Sequence, residues 1–208
     1  MRYERKYILE RAMPEAWLAW LYGLPPAFRT SYPPRQINNI YFDDFDLTSY
    51  QENSAGISRR SKYRMRWYGD AYDLLPQPVL EIKTKEALLG EKTYRQLPDT
   101  SWGELPALFR QIPELTNSNL RPVLVNAYRR QYLESADGRF RLTLDSELRF
   151  GPYTRKAMRF DFQLPGISIL ELKYAAASDD EIDDITQHWP FRMTRFSKYS
   201  VGMQLIMD

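Results

Sequence analysis

Arg60-Ser61-Lys62-Tyr63-Arg64-Met65-Arg66-Trp67-Tyr68-Gly69 carries a basic side chain at every second position from 60 to 66. An extended strand here projects Arg60, Lys62, Arg64 and Arg66 from one face. Such a row suits a polyanion, although a solvated edge strand can also carry Lys and Arg to discourage pairing. The device recurs in other segments that read as strands: Glu4 and Lys6; Glu81, Lys83 and Lys85; Arg139, Arg141, Thr143 and Asp145; Glu171 and Lys173. Several strands with one charged and one apolar face predict a barrel with an ionic interior, its apolar faces covered from outside.

The 208 residues suit a single domain over 1–208, a large β barrel with added helices. A formal charge of only +2 argues against a general coat for nucleic acid and shifts attention to where the charges lie. With no cysteine there are neither disulfides nor thiolate metal sites. No apolar run approaches the roughly 20 residues that span a bilayer, and the charged start lacks a signal peptide's apolar region. The expectation is a cytoplasmic protein, with a membrane-bound partner left open and the oligomeric state unknown.

Along the chain, strands are predicted at Tyr3 to Leu9, Ile37 to Phe42, 60–69, Val79 to Lys85, Lys92 to Leu97, Val123 to Glu134, Arg139 to Leu148, Met158 to Leu164 and Ile167 to Tyr174. Ala87-Leu88-Leu89-Gly90 joins one hairpin, and Asp137-Gly138 marks another. Helices are predicted at Pro14 to Leu24, Trp102 to Ile112 and Ser197 to Met207, with a short turn at Asp46 to Asn53. A further helix is expected to be capped by Ser178, with Asp179, Asp180 and Glu181 in its first turn.

Burying an unpaired cation loses several kcal/mol of hydration, so a lining of Lys and Arg calls for a functional explanation. A phosphate chain supplies one: Arg grips two oxygens with its fork and Lys acts as a point charge. Glu4, Glu81, Glu171 and Asp145 can be internal ion-pair partners. One or two carboxylates with phosphate oxygens also suffice for Mg²⁺ or Mn²⁺, and Glu171 is the favoured ligand, with Glu4 and Glu81 as further candidates. Gly90-Glu91-Lys92-Thr93 lacks the glycine pattern of a P-loop. His188, the only histidine, reads as structural, and Ser197 has no second histidine to activate it. The aromatic residues around Arg66 could stack bases, but on the opposite face of the strand they read as outer core.

With these residues in place, the chain resembles the polyphosphate polymerase domain of the vacuolar transporter chaperone family, within the CYTH-like triphosphate tunnel metalloenzyme superfamily. The landmarks are Glu4-Arg5-Lys6-Tyr7, Ile40-Tyr41-Phe42-Asp43, Arg64 to Gly69, Leu80-Glu81-Ile82-Lys83, Gly90-Glu91-Lys92, Tyr128-Arg129-Arg130, Arg141 to Asp145, Leu170-Glu171-Leu172-Lys173 and Phe196-Ser197-Lys198-Tyr199, in that order over nearly the whole length. The resemblance implies an α+β, mainly antiparallel fold: an eight-stranded tunnel barrel with flanking helices, holding a triphosphate or growing polyphosphate with a metal on its phosphates. Its phosphate-binding residues would fall on Lys6, Arg64, Arg66, Lys83, Lys92, Arg130, Arg141, Arg195 and Lys198, to which the basic row adds Arg60 and Lys62. Lys198, Arg195, Arg64 and Arg66 would serve the reacting phosphates, and Glu171 the metal.

The family's reaction moves the γ-phosphoryl of ATP onto a phosphate chain and releases ADP, which positioning and charge neutralisation can achieve without a protein nucleophile. Arg2 stands where the superfamily's Glu-x-Glu-x-Lys opening has its first acid, which favours the polymerase branch over the triphosphatase branch. Arg195 stands where lysine is expected. The alternatives are a triphosphate hydrolase of the same fold and a module that binds polyphosphate or nucleotide without turnover. No specific nucleic-acid partner is expected.

Overall fold

The computed structural model describes residues 2–10, 12–70, 72–86, 89–187 and 189–208. The chain is mainly antiparallel β with flanking helices. Its strands are β1 (Arg2–Leu9), β2 (Arg29–Asp43), β3 (Arg60–Tyr68), β4 (Leu74–Leu75), β5 (Val79–Glu86), β6 (Leu89–Gln96), β7 (Thr100–Ser101), β8 (Arg121–Glu134), β9 (Phe140–Pro152), β10 (Phe162–Gln163), β11 (Ser168–Ala175) and β12 (Met193–Thr194). Its α-helices are α1 (Pro14–Tyr22), α2 (Thr48–Ala55), α3 (Leu105–Arg110), α4 (Pro113–Thr116), α5 (Ile182–Thr186) and α6 (Lys198–Met207).

Ten strands form one sheet in the order β12-β1-β11-β9-β8-β2-β3-β5-β6, with β10 on β9, while β4 and β7 pair separately. The expected eight-stranded closed barrel is therefore corrected: among the described residues the strands form a ten-stranded sheet whose path does not close. Two-residue strands β10 and β12 enlarge the count. At the other end, residues 90–96 of β6 are exposed and include Glu91, Lys92 and Arg95, charges that oppose further strand pairing.

The chain divides into two compact units. The first comprises residues 1–35, 128–148 and 164–196. Its core gathers Tyr7 and Leu9 of β1, Leu142 and Leu144 of β9, Leu170 and Leu172 of β11, and Trp189, with Trp17 and Trp20 of α1 packed against them. The period-two alternation of β1 and β11 puts these apolar residues on one face and Glu4, Lys6, Glu171 and Lys173 on the other. The Ser135–Gly138 turn forms as expected. Asp137 accepts from the Ser135 hydroxyl at 2.6 Å and the Arg139 amide at 3.0 Å, and Gly138 takes a positive φ of 72°.

The second unit comprises residues 36–127, 149–163 and 197–208. Its core includes Ile40 and Phe42 of β2, Met65 and Trp67 of β3, Leu80 of β5, Trp102 and Leu105. Met65 and Trp67 alternate with Arg64 and Arg66, so the outer-core reading holds for Trp67 and Tyr63, whereas Tyr68 falls on the arginine face of the strand and is exposed. Ser197 caps α6 by accepting the Ser200 amide at 3.3 Å. Gly202 permits close packing of α6: a Cβ there would stand 2.6 Å from Phe150 Cδ1 and 2.7 Å from Leu124 Cδ2.

Several local expectations change. Strand β2 starts at Arg29 and runs through Pro33 and Pro34, in a stretch exposed from 29 to 35, where a missing N–H is tolerated. Over 158–164 only Phe162 and Gln163 pair, with Phe150 and Arg149. Ser178 does not cap a helix; it ends a 3₁₀ turn and α5 begins at Ile182. The nearby acids serve tertiary pairs instead, Asp179 and Asp183 with Arg5 and Glu181 with Arg139. The expected helix over 102–112 is a 3₁₀ turn at 102–104 followed by α3. Ala87 and Leu88 of the expected turn, and His188, lie outside the described residues.

Candidate functional site

Each unit carries its own ionic face. In the second unit, the antiparallel register of β3, β5 and β6 aligns Lys62 with Lys83 and Lys83 with Lys92. Three lysines thus stand abreast on neighbouring strands, an arrangement that like-charge repulsion disfavours. One step along, Arg64 faces Glu81. Glu81 is nearly enclosed and gathers three cations. Arg64 reaches its Oε2 through Nη2 at 2.6 Å and Nε at 2.9 Å, Lys92 Nζ lies 3.1 Å from Oε2, and Arg66 Nη1 lies 3.3 Å from Oε1. Burial would raise the Glu81 pKa, but Arg64, Arg66 and Lys92 hold it down at about 2.

Arg66 is fixed from its other side by a neutral relay. Its Nε donates to Asn39 Oδ1 at 3.1 Å, and Asn39 Nδ2 donates to Asn126 Oδ1 at 2.9 Å, with both asparagines fully buried. A forked cation held in this way is fixed in orientation. Lys62 Nζ donates to Ser197 Oγ at 2.9 Å, and Lys198, in the first turn of α6, is buried. Arg60 bends back to the Ile57 carbonyl.

In the first unit, Glu171 is opposite Lys6 of β1 and Thr143 of β9. It lies 3.4 Å from Lys6, 3.3 Å from Lys173 and 3.7 Å from Arg130. Glu4 reaches the same Lys6 at 3.1 Å and Lys173 at 3.9 Å, so two carboxylates share two ammonium groups. Burial disfavours the Lys6 cation, yet Glu171 and Glu4 raise its pKa. Arg130 is similarly held charged, burial being outweighed by Asp145, which it grips with Nη2 at 2.7 Å and with Nε. The buried Thr143 hydroxyl has no hydrogen-bond partner among the described residues.

The structure thus brings Arg64, Arg66, Lys92 and Glu81 into one ion-pair cluster, with Lys62 and Lys83 aligned beside it, and gathers Lys6, Arg130, Glu4 and Glu171 in another. Arg141 stands apart from these ion pairs: its side chain is 65% exposed and bonds Glu134. Arg195 is exposed. Glu81 belongs to the second unit, whereas Glu4 and Glu171 belong to the first. Asn39, Asn126 and Thr143 were not among the predicted ligands. Polar residues inside otherwise apolar strand sequence were their available signal.

Among the described residues no three His, Asp or Glu side chains are grouped to hold a metal. Glu171 and Glu4 nevertheless fit a divalent cation that takes one or two carboxylates and completes its shell with phosphate oxygens and water, and the unpartnered Thr143 hydroxyl opposite Glu171 leaves a polar group to be satisfied there. No helix among the described residues is long and apolar enough to cross a membrane.

No curated protein matches the chain. Among solved structures, a candidate adenylate cyclase from Vibrio parahaemolyticus aligns at 14% identity and TM-score 0.59, covering 98% of this chain and 97% of that one. A candidate adenylyl cyclase from Hippeastrum, described as having a dominant triphosphatase activity, aligns at 14% identity and TM-score 0.53 over 98% and 97% of the two chains. A Pyrococcus horikoshii protein aligns at 12% identity and TM-score 0.54 over 98% and 99%. At these identities the likeness concerns the fold. The sequence itself matches the model of the VTC domain over residues 1–207, and the chain therefore belongs to the VTC domain family.

Proposed function

We propose that this protein binds the phosphates of ATP and transfers the γ-phosphoryl group to the end of an inorganic polyphosphate chain. The alignment of Lys62, Lys83 and Lys92 on adjoining strands carries the reading, because a polyanion turns that repulsion into a binding site. An oxygen of the chain's terminal phosphate attacks the γ-phosphorus. The bond from that phosphorus to the β–γ bridging oxygen breaks, and ADP leaves with the electron pair. Arg64 and Arg66 grip non-bridging oxygens, and in the first unit Lys6 and Arg130 are the phosphate-binding cations of the face around Glu171. Lys198 balances charge on the group in flight or gives it a proton. A divalent cation, Mn²⁺ or Mg²⁺, held by Glu171 with Glu4 would neutralise and orient the phosphates. Glu81 serves as the anchor of its arginines.

A second reading, hydrolysis with water as acceptor, gains support from the triphosphatase activity described for the Hippeastrum neighbour. Incubation with ATP and Mn²⁺, followed by separation of products by chain length, tests both. Long phosphate chains with stoichiometric ADP are expected; phosphate or pyrophosphate alone would select hydrolysis, and intact ATP would leave binding without turnover.

A further inference from the structure

Asp43, the last residue of β2, is completely buried and collects hydrogen bonds from two helices. Its Oδ1 accepts the amides of Asp44 at 3.0 Å and Ser49 at 2.9 Å, and its Oδ2 accepts the Tyr50 amide at 2.9 Å, tying β2 to the first turn of α2. The same Oδ2 accepts the hydroxyl of Tyr199, the second residue of α6. Tyr199 also stacks on Tyr41, with ring centroids 5.2 Å apart and planes 24° apart, and meets Tyr50 edge-on at 6.4 Å.

Lys198 lies between two anchors: Tyr199 bound to Asp43, and Ser197, whose Oγ accepts Lys62 Nζ at 2.9 Å. Lys198 is itself buried in the first helical turn, where the helix dipole opposes a cation. Holding a lysine against that field requires its backbone to be fixed, and the phenol-to-carboxylate bond fixes it one residue away.

We infer that Asp43 and Tyr199 are positioning residues that set the place of Lys198 by clamping the start of α6 to β2 and α2. This rests on the proposed contact between Lys198 and the reacting phosphates. Tyr199→Phe keeps the ring that stacks on Tyr41 and removes only the hydroxyl, so the clamp loosens while the packing stays.

The test is a double-mutant cycle read as turnover at saturating ATP and Mn²⁺, with tripolyphosphate affinity measured in parallel. Lys198→Ala and Tyr199→Phe should each lower turnover, Tyr199→Phe by about tenfold, with affinity changed by less than about threefold. The double variant should be no slower than Lys198→Ala, because Tyr199 acts through Lys198. Asp43→Asn, which leaves the phenol in place and weakens its acceptor, should repeat the Tyr199→Phe pattern. Phe109→Leu, which changes a partly buried side chain packed against the core of the same unit, should lower thermal stability and leave turnover unchanged. Full turnover in Tyr199→Phe beside a slow Lys198→Ala, or multiplied losses in the double variant, would overturn the inference and leave Lys198 in its proposed role. Full turnover in Lys198→Ala would remove that role and the clamp's purpose together.

Discussion

At the scale of single residues, Glu81 and Glu171 differ in what surrounds them. Glu81 is enclosed by Arg64, Arg66 and Lys92, and removing its charge strands these cations. Glu81→Gln should therefore destabilise the fold by about 3–5 kcal/mol at pH 7, measured by denaturant unfolding. Because its pKa is held at about 2, below the unfolded carboxylate's 4.5, the wild type carries this stabilisation above pH 4.5 and loses it as pH falls towards 2. The variant should lack that acid-dependent loss. Glu171 shares Lys6 and Lys173 with Glu4 and is the proposed metal ligand. Glu171→Gln should lower Mn²⁺-dependent turnover at least about tenfold while metal-free tripolyphosphate affinity holds or rises, since a carboxylate among the cations is gone. Equal turnover of both forms across a Mn²⁺ titration would remove Glu171 from the metal role.

At the scale of elements, the faces were legible and the registers were not. Alternation in 60–69 assigned Arg64 and Arg66 to one face and Met65 and Trp67 to the other, as the structure has them. That Lys62, Lys83 and Lys92 align depends on how three strands pair, which no single strand's pattern encodes. The bond from Tyr199 to Asp43 crosses 156 residues, and the Asn39–Asn126 bond crosses 87, beyond any local signal. The acids at 179–181 misled because a helix-start pattern and a set of partners for Arg5 and Arg139 look alike in sequence. The lysine alignment makes its own prediction. Lys83→Glu puts a carboxylate between two lysines that a polyanion would bridge, so it should weaken tripolyphosphate binding at least about tenfold, measured by calorimetry. Unchanged tripolyphosphate affinity would remove the aligned lysines from phosphate binding.

At the scale of the whole molecule, a net charge of +2 conceals two faces on which cations are concentrated and partly balanced by carboxylates. Membership of the VTC domain family agrees with that distribution. The sheet's ten strands and open path could not be read from segments whose pairing partners lie far along the chain. The central claim is that these faces recognise phosphate number, and competition calorimetry tests it most directly: tripolyphosphate, ATP, GTP and AMP titrated into the protein over a range of salt. Tripolyphosphate should displace ATP and GTP alike, AMP should compete weakly, and every affinity should fall as salt screens the cations. A strong preference for one base, or tripolyphosphate binding no tighter than that of AMP, would contradict it.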